Sequence, residues 1–411
     1  MKINKHCFPN GLRLVHYEDT STQMVALNIV YDVGARDEHP EHTGFAHLFG
    51  HLMFGGSAHI PDYDMPLQLA GGENNAWTNN DITNYYLTVP KPNVETAFWL
   101  ESDRMLELAF SEQSLEVQRG VVMEEFKQRC LNQPYGDVGH LFRPLAFRVH
   151  PYRWPTIGKE LSHIEHATLD EVKSLFYRFY APNNAVLAVT GNISWDETVK
   201  LTEKWFAPIP RRDVPVRQLP QEPEQTQERR LTVERNVPLD ALFMGYHMCS
   251  REGADYYAFD ILSDILSNGR SSRLNRRLVQ EQNIFSGIDA YISGTRDAGL
   301  LQISGKPAAG VSLEQAEAAV RKELEELQRS PVDGQELEKV KNKFESTQIF
   351  GNINYLNVAT NLAWFELTGK AEDIDLEVER YRSVTTEQLH TVAQRTFCES
   401  NAVVLYYKSD K

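Results

Sequence analysis

Residues 43–56 read TGFAHLFGHLMFGG, and this stretch indicates both a local structure and a chemistry. Thr43 can cap the start of a helix and the glycines at 55 and 56 can end it, so the stretch predicts a helix of about three turns. His47 and His51 stand four residues apart, which places both imidazoles on one face of that helix. A zinc ion needs this arrangement from its first two ligands.

A third ligand is expected on a second helix, which the periodicity predicts over residues 114–131. Glu124 and Glu125 interrupt an otherwise apolar run from Val121 to Phe126. A carboxylate in such surroundings is partly buried, which costs free energy unless the group is paired or binds a cation. The alternative is that both glutamates lie on a solvated face of the helix.

The chain has 411 residues, of which 41% are hydrophobic and 24% are charged. That length predicts two or more domains, and no apolar run approaches the roughly 18 residues that a membrane span needs. The net charge of −15 argues against a nucleic-acid partner and is compatible with basic or extended peptide ligands. Because the first residues lack the apolar core of a signal peptide, we expect a cytoplasmic protein, or a periplasmic one if a signal has been removed.

The four cysteines, Cys7, Cys130, Cys249 and Cys398, are far apart and show no paired spacing. We therefore expect buried reduced thiols rather than disulfides or zinc ligands.

The remaining pattern alternates between strand and helix signals. Alternation or apolar runs predict strands over 10–17, 24–33, 76–89 (a pair or one bent strand) and 184–189. Helical periodicity predicts further helices over 92–109 and 195–205. Residues 207–228 contain five prolines among charged residues, and they are predicted to be a linker.

Beyond the linker the pattern starts again. A shift of 214 residues aligns Asn75-Ala76-Trp77 with Asp289-Ala290-Tyr291, and Leu87 with Leu301. A shift of 217 aligns five further positions: Thr168, Arg178, Asn184, Ala185 and Val186 match Thr385, Arg395, Asn401, Ala402 and Val403. Two independent matches at nearly equal shifts favour a duplicated domain over chance.

The predicted fold is therefore α+β, with two similar domains, 1–206 and 229–411, joined by the linker 207–228. Each domain is expected to have an antiparallel-dominated sheet packed with helices. The 214-residue shift sets His47 and His51 opposite Ile261 and Ile265. One metal site per chain is expected, in the first domain.

The chain resembles the pitrilysin-type, inverted-zincin metallopeptidases of the M16 family, whose relatives include insulin-degrading enzyme and the mitochondrial processing peptidase. The matching residues span nearly the whole chain: Gly44-Phe45-Ala46-His47, His51-Leu52-Met53-Phe54-Gly55-Gly56, Asn75-Ala76-Trp77-Thr78, Arg119-Gly120-Val121-Val122-Met123-Glu124-Glu125, His150-Pro151-Tyr152, Tyr180-Ala181-Pro182-Asn183-Asn184 and Ser271-Ser272-Arg273-Leu274. The resemblance implies two LuxS/metallopeptidase-like domains, a peptide substrate, and one Zn²⁺ held by His47, His51 and Glu125.

The chain departs from the family motif, His-x-x-Glu-His, at one decisive position. The general-base glutamate of the family would stand at position 50, where this chain has Gly50. In the family that carboxylate takes a proton from the attacking water and returns one to the leaving amine. Without a positioned base, hydrolysis is expected to slow by roughly 10²–10⁴. Glycine inside a helix also costs about 1 kcal/mol against alanine, so nothing structural recommends it there.

Two further departures concern the surroundings of the site. The family often has a second glutamate seven residues before the metal-binding one, and this chain has Gln118 there. Family members that act alone carry an arginine and a tyrosine in the second half, where the alignment places Val279 and Ser286. The resemblance thus implies a homodimer, or a heterodimer with a second M16 subunit that supplies this pair.

The segment Asn75-Ala76-Trp77-Thr78 is a candidate for substrate binding. Its polar neighbours suit a strand that is open along one side, against which an extended peptide pairs, as in the family. The alternative is an internal strand that binds no ligand. Pairing of strands recognises mainly the backbone, so it would give broad peptide specificity.

Three functions are compatible with these observations. The first is a zinc endopeptidase subunit acting on unfolded peptides, impaired by Gly50. The second is a companion subunit that binds zinc or peptides without cleaving them, and the third is a structural component of a larger complex. The retained ligands weaken the third. The loss of the Arg/Tyr pair favours the first over the second, because partner-type subunits of the family keep that pair and lose the histidines.

Overall fold

A computed structural model describes residues Met1–Asp410. Contacts within the chain divide it into two compact units. Unit 1 contains residues 1–131, 154–220 and 349–376, and unit 2 contains residues 132–153, 221–348 and the chain from Glu377 onward.

Unit 1 is built on a six-stranded sheet of order β1-β2-β6-β3-β5-β4. Only β2 and β6 run parallel; the other neighbouring pairs are antiparallel. The strands are β1 (Ile3–Cys7), β2 (Arg13–Glu18), β3 (Met24–Tyr31), β4 (Glu73–Thr78), β5 (Thr83–Pro90) and β6 (Ala185–Gly191). The helices between them are α1 (Phe45–Leu52), α2 (Asp64–Leu69), α3 (Val94–Leu106), α4 (Glu112–Phe126), α6 (Leu161–Glu165), α7 (Leu169–Phe179) and α8 (Trp195–Phe206), with α5 (Val138–Ala146) belonging to unit 2.

Strand β6 explains why this sheet needs cover on both faces. All seven of its residues are buried. Leu187 and Val189 face the core that contains α1, α3 and α7, whereas Val186 and Ala188 face the opposite side. A strand with apolar residues on both faces is stable only between two layers. The second layer is a helix from late in the chain, residues Tyr355–Thr368.

Unit 2 repeats this plan with a five-stranded sheet of order β7-β11-β8-β10-β9, in which only β7 and β11 run parallel. Its strands are β7 (Arg229–Arg235), β8 (Ala241–Met248), β9 (Phe285–Ile292), β10 (Gly299–Pro307) and β11 (Ala402–Ser409). The later helices of the chain are α9 (Tyr256–Ser267), α10 (Leu313–Arg329), α11 (Gly334–Gly351), α12 (Tyr355–Thr368), α13 (Glu377–Ser383) and α14 (Thr386–Thr396). One face of the sheet packs on α9, α10 and α14, and the other packs on α5.

The α+β class with two helix-covered sheets is confirmed, and the ladders refine the repeat. In the sheets Tyr31 lies opposite Thr83, and Tyr246 lies opposite Leu301. Leu301 therefore corresponds to Thr83, and the alignment of Leu301 with Leu87 was wrong. The reason is that the connection between β9 and β10, from Ile292 to Leu301, is longer than the one between β4 and β5, from Thr78 to Thr83. Ile261 and Ile265, which the sequence alignment sets opposite the two histidines, lie in α9 and are fully buried.

The compact units differ from the domain boundaries 1–206 and 229–411 in two places. Helix α5 comes from the first half of the chain and packs in unit 2, and α12 comes from the second half and packs in unit 1. Residues 207–228 contain neither helix nor strand, and strand β7 begins directly after them at Arg229. Side chains of this segment nevertheless form ion pairs with the rest of the chain. Arg217, for example, pairs with Asp32 and Asp37 of unit 1.

Two smaller observations concern the whole described chain. None of the helices between Met1 and Asp410 combines the length and hydrophobicity needed to cross a bilayer. No disulfide joins any of the four cysteines in the described chain, and only Cys130 is buried.

Candidate metal centre

Helix α1, which carries the two histidines, is capped by a distant side chain. Its N-cap residue is Gly44, with φ of 87°, and a Cβ there would lie 2.6 Å from Ile164. The carboxylate of Glu38 accepts hydrogen bonds from the backbone N–H groups of Gly44 and Ala46, at 3.0 and 2.8 Å. The predicted cap at Thr43 is therefore wrong: its hydroxyl accepts from Lys159 N instead.

The helix is also shorter than predicted, because it ends at Leu52, before the glycine pair at 55 and 56. Its apolar face, including Leu48, Phe49 and Leu52, is buried in the core of unit 1. The spacing of four residues leaves His47 and His51 together on the other face, with ring centroids 5.0 Å apart.

Helix α4 brings Glu125 against the histidines and leaves Glu124 outside. The Glu124 carboxylate is 62% exposed and pairs with Lys127, whereas Glu125 is 20% exposed. One oxygen of Glu125, Oε2, lies 3.4 Å from Nε2 of His47 and 3.4 Å from Nε2 of His51. The two Nε2 atoms are themselves 3.4 Å apart. The three predicted ligand atoms therefore form an equilateral triangle.

This triangle fits a zinc ion. Zinc binds imidazole nitrogen and carboxylate oxygen at about 2.0–2.1 Å with tetrahedral geometry, so neighbouring ligand atoms should lie about 3.4 Å apart. The observed separations have this value. Two imidazoles and one carboxylate also leave one tetrahedral position free, as in catalytic zinc sites. No other group of three His, Cys, Asp or Glu side chains in residues 1–410 brings its ligand atoms so close.

The electrostatics of the site favour a neutral His47. Burial lowers the pKa of His47 to about 4, and the negative charge of Glu125 only partly offsets that effect. The positive charge of Arg129 acts in the same direction as burial. Neutral imidazole is the form that binds a metal, so this ligand needs no deprotonation near neutral pH.

Arg129 holds the carboxylate in position. Its Nη2 donates to Oε1 of Glu125 at 2.7 Å, and the other oxygen, Oε2, is the one that faces both histidines. Arg129 lies in a π-helical segment, Lys127–Leu131, that continues α4. Sequence reasoning missed this residue, although an acid and a base four residues apart on a helix is a recognisable signal.

Gly50 opens into a cavity of about 590 Å³ that also contains the three candidate ligands. A Cβ built on Gly50 would meet only Thr78 Oγ1, at 3.5 Å, which is ordinary van der Waals contact. The position thus has room for a side chain directed at the candidate metal. The cavity is also lined by Phe54 and Asn74, which neighbour the predicted site residues in the sequence, and by three residues that the sequence did not single out: Asp64, Thr156 and Ile157.

Strand β4 forms one wall of the cavity and is an edge of the sheet. It contains all four predicted substrate-binding residues, Asn75, Ala76, Trp77 and Thr78, and each of them lines the cavity. Its residues alternate between exposed and half-buried, and β5 is its only partner strand in the described chain. The amide of Asn75 accepts the backbone N–H of Ala76 at 2.8 Å, so this part of the edge is blunted by a side chain.

Three further residues depart from the family pattern: Gln118 lies on a ligand-bearing helix of unit 1, and Val279 and Ser286 lie in unit 2. Gln118 lies on α4, two helical turns before Glu125 and on the same face. Val279 packs against the core of unit 2, and the exposed Ser286 donates to the carbonyl of Lys306. Neither side chain offers the charge or the ring of the arginine and tyrosine that the family carries.

Two family models match different parts of the chain. The model described as "Insulinase (Peptidase family M16)" matches residues 13–137, and the model described as "Peptidase M16 inactive domain" matches residues 166–344. The zinc protease PqqE of Helicobacter pylori is 26% identical over 405 residues, covering 97% of this chain and 91% of that protein. The uncharacterised zinc protease YmxG of Bacillus subtilis is 24% identical over 406 residues, covering 98% of each.

The fold of the chain is also similar to that of a solved protease structure. The crystal structure of a protease from Helicobacter pylori superposes with a TM-score of 0.93 at 25% identity, covering 99% of both chains. The chain belongs to the M16 peptidase family, whose members named here are zinc proteases.

Proposed function

We propose that this chain is the metal-carrying subunit of a zinc endopeptidase-type protein, in which hydrolysis is impaired because Gly50 replaces the general base. The observation that carries the proposal is the triangle of His47, His51 and Glu125 with edges of 3.4 Å, beside an edge strand. When bound there, zinc would act as a Lewis acid toward a peptide carbonyl and would lower the pKa of water.

The chain's own residues supply ligation and substrate placement in this proposal. His47 is neutral and Glu125 is oriented by Arg129, so two ligands are set before the metal arrives. An extended peptide adds to the free edge of β4, which places its backbone along the wall of the cavity. To pair at Ala76, the peptide must displace the Asn75 amide from the Ala76 N–H.

Peptide hydrolysis must transfer a proton from the attacking water, and Gly50 leaves the position of the family's proton acceptor without a side chain. In the family a carboxylate at that position accepts the proton. This favours a second candidate function, a companion subunit that binds zinc and peptide without cleaving. Both candidates predict zinc and peptide binding, and they differ in the effect of restoring the base.

We also place the chain in a dimer, with a second M16 subunit supplying the arginine and tyrosine absent at Val279 and Ser286. The partner's contribution would act on substrate binding rather than on the metal. Light scattering of the purified protein, alone and with a related subunit encoded by a neighbouring gene, tests this assembly. A monomer in both measurements contradicts it.

Zinc content tests the site directly. After dialysis, elemental analysis should find about one zinc per chain, and a zinc content near zero that added zinc does not raise contradicts the proposal. Glu125→Gln should lose the metal, because a neutral amide is a poor zinc ligand. The matched control is His166→Ala, which changes an exposed histidine of unit 1 whose Nδ1 lies 2.8 Å from the Ser162 carbonyl oxygen and should leave zinc unchanged.

Peptide binding tests the role of β4. An unfolded peptide should bind the zinc-loaded protein, and methylation of its alternate backbone nitrogens should weaken binding, because strand pairing uses those N–H groups. Asn75→Ala frees the Ala76 N–H and should strengthen binding. Unchanged affinity after backbone methylation would show that the peptide does not pair with an edge strand.

A further inference from the structure

Unit 2 contains a cavity of about 500 Å³ that shares no residue with the metal cavity. It lies among the C-terminal half of α10, strand β8 and the turn that follows α14. Its walls include Tyr246 from β8, Leu324 and Gln328 from α10, and Phe397 and Glu399 from the turn. Cavities of this size accommodate small ligands or a few residues of a peptide.

The charges in this cavity exclude an anionic ligand. Its two arginines are already paired, Arg230 with Glu228 at 2.6 Å and with Glu317 at 2.5 Å. Arg321 likewise pairs with Glu228 at 2.5 Å and with Glu317 at 2.7 Å. Glu399 has no ion pair within the described chain. The charge left for a ligand is therefore negative, and the cavity should prefer a cation.

The wall of the cavity also contains the hydroxyl of a tyrosine. Tyr246 is only 1% exposed as a residue and lines the cavity. Burial raises the pKa of Tyr246, so the hydroxyl is neutral. A neutral hydroxyl both donates and accepts hydrogen bonds. This group can accept a hydrogen bond from a ligand in the cavity.

The internal repeat shows what occupies the corresponding place in unit 1. Asn184 donates to the carbonyl of Phe179, and Asn401, 217 residues later, donates to the carbonyl of Thr396, also 217 residues later. By the same shift, Phe397 corresponds to Tyr180. In the ladders Tyr31 lies opposite Ala185 just as Tyr246 lies opposite Ala402. Tyr246 and Phe397 are therefore the counterparts of Tyr31 and Tyr180.

In unit 1 the space beside these residues is filled by the extended segment that follows α8. The guanidinium of Arg212 donates to the carbonyl of Tyr180 at 2.8 Å and to that of Leu106, at the end of α3, also at 2.8 Å. It lies 4.5 Å above the ring of Phe176. The corresponding space in unit 2 is the cavity.

We propose that the cavity of unit 2 binds an extended, arginine-bearing segment of another polypeptide. Arginine carries five N–H donors and no acceptor, which matches the acceptors that Tyr246, Phe397 and Glu399 bring to the wall of the cavity. The guanidinium donates to the Tyr246 hydroxyl and the Phe397 carbonyl, and Glu399 balances its charge. This binding site is independent of zinc and of the edge strand β4.

The segment of this chain that fills the counterpart space provides a probe. A fluorescein-labelled peptide with the sequence of residues 207–218, APIPRRDVPVRQ, is titrated with the full-length protein at low ionic strength and followed by fluorescence anisotropy. We expect saturable binding. The same peptide with Arg212→Ala should bind about tenfold more weakly, because it loses charge-assisted hydrogen bonds.

Protein variants locate the binding. Glu399→Gln and Tyr246→Phe should each weaken binding several-fold, and both preserve side-chain size, so thermal denaturation should show intact folding. The control is Glu379→Gln, an exposed glutamate on α13 that lies outside the cavity, which should leave affinity unchanged. The proposal is wrong if the peptide shows no saturable binding, if Arg212→Ala in the peptide has no effect, or if neither cavity variant weakens binding.

Discussion

Restoring a carboxylate at position 50 is the sharpest test of the proposed function. Gly50→Glu places a side chain at a helical position where its Cβ meets only Thr78 Oγ1, at 3.5 Å, so the backbone need not move. A positioned general base contributes roughly 10²–10⁴ in rate, which corresponds to about 2.7–5.4 kcal/mol of activation free energy. We expect Gly50→Glu to cleave unfolded peptides faster than the wild-type chain by a factor in that range.

The same substitution should affect stability in a way that depends on zinc. Glutamate is a better helix former than glycine by several tenths of a kcal/mol. In the metal-free protein the new carboxylate repels Glu125 and offsets that gain, and bound zinc removes the repulsion. The melting temperature of Gly50→Glu should therefore rise more on adding zinc than that of the wild type.

The assay uses a quenched fluorogenic peptide at high concentration, because we expect weak substrate binding from a chain with Val279 and Ser286 in place of the family's arginine and tyrosine. Gly50→Gln is the matched control, since glutamine has a similar shape and helix propensity but cannot accept the proton. Activity should appear in the glutamate variant, be absent from the glutamine variant and disappear with a chelator. If zinc-loaded Gly50→Glu cleaves no faster than Gly50→Gln, the missing-base reasoning is refuted and the companion function remains.

Three further predictions follow from contacts around the site. Arg129→Met should weaken zinc binding roughly 10–100-fold, because Glu125 loses the hydrogen bond that orients it, whereas Lys127→Met should not, and competition with a zinc chelator measures both. Arg104→Met should destabilise the protein by about 3–5 kcal/mol in urea unfolding, because it leaves Glu101 as an unpaired buried carboxylate; a cost below 1 kcal/mol contradicts this. Burial raises the pKa of Glu38 to about 8 despite the hydrogen bonds from Ala46 and Gly44, so its stabilising contribution is complete below its unfolded pKa of about 4.5 and is lost as the pH rises through 8. Glu38→Gln should therefore gain stability relative to the wild type between pH 6 and 9, and a constant difference across that range would show that Glu38 does not titrate there.

Much of the candidate site was predictable because its signals are local. The spacing of His47 and His51 follows from helix periodicity, and one acid of the Glu124–Glu125 pair had to face inward once the helix was amphipathic. Gly50 could be recognised as standing at the position of the general base because His47 and His51 align the family motif on this helix. Arg129 is equally local, four residues from Glu125, but acid–base pairs at this spacing are common on solvated helix faces, so the spacing alone does not mark it as part of a site.

Other features depend on residues far apart in the sequence. No local pattern shows that Glu38 rather than Thr43 caps α1, because the contact depends on how the preceding loop folds back. The positions of α5 and α12 were not predictable either. Each covers a sheet belonging mainly to the other half of the chain, and a helix's periodicity shows that it has an apolar face but not which surface covers that face.

The sequence by itself determined the two-sheet α+β class, the duplication and the identity of the three candidate ligands. The class follows from periodicity within single elements, the duplication from matches between the two halves of the chain, and the pairing of His47 with His51 from their spacing of four residues. The choice of Glu125 as the third ligand is what the resemblance to the M16 family implies. The tertiary structure decided the 3.4 Å triangle, the free edge of β4 beside it and the open counterpart of the Arg212 space in unit 2. These are distances between elements separated by many residues, and they are set by how side chains fill a common core rather than by any one segment.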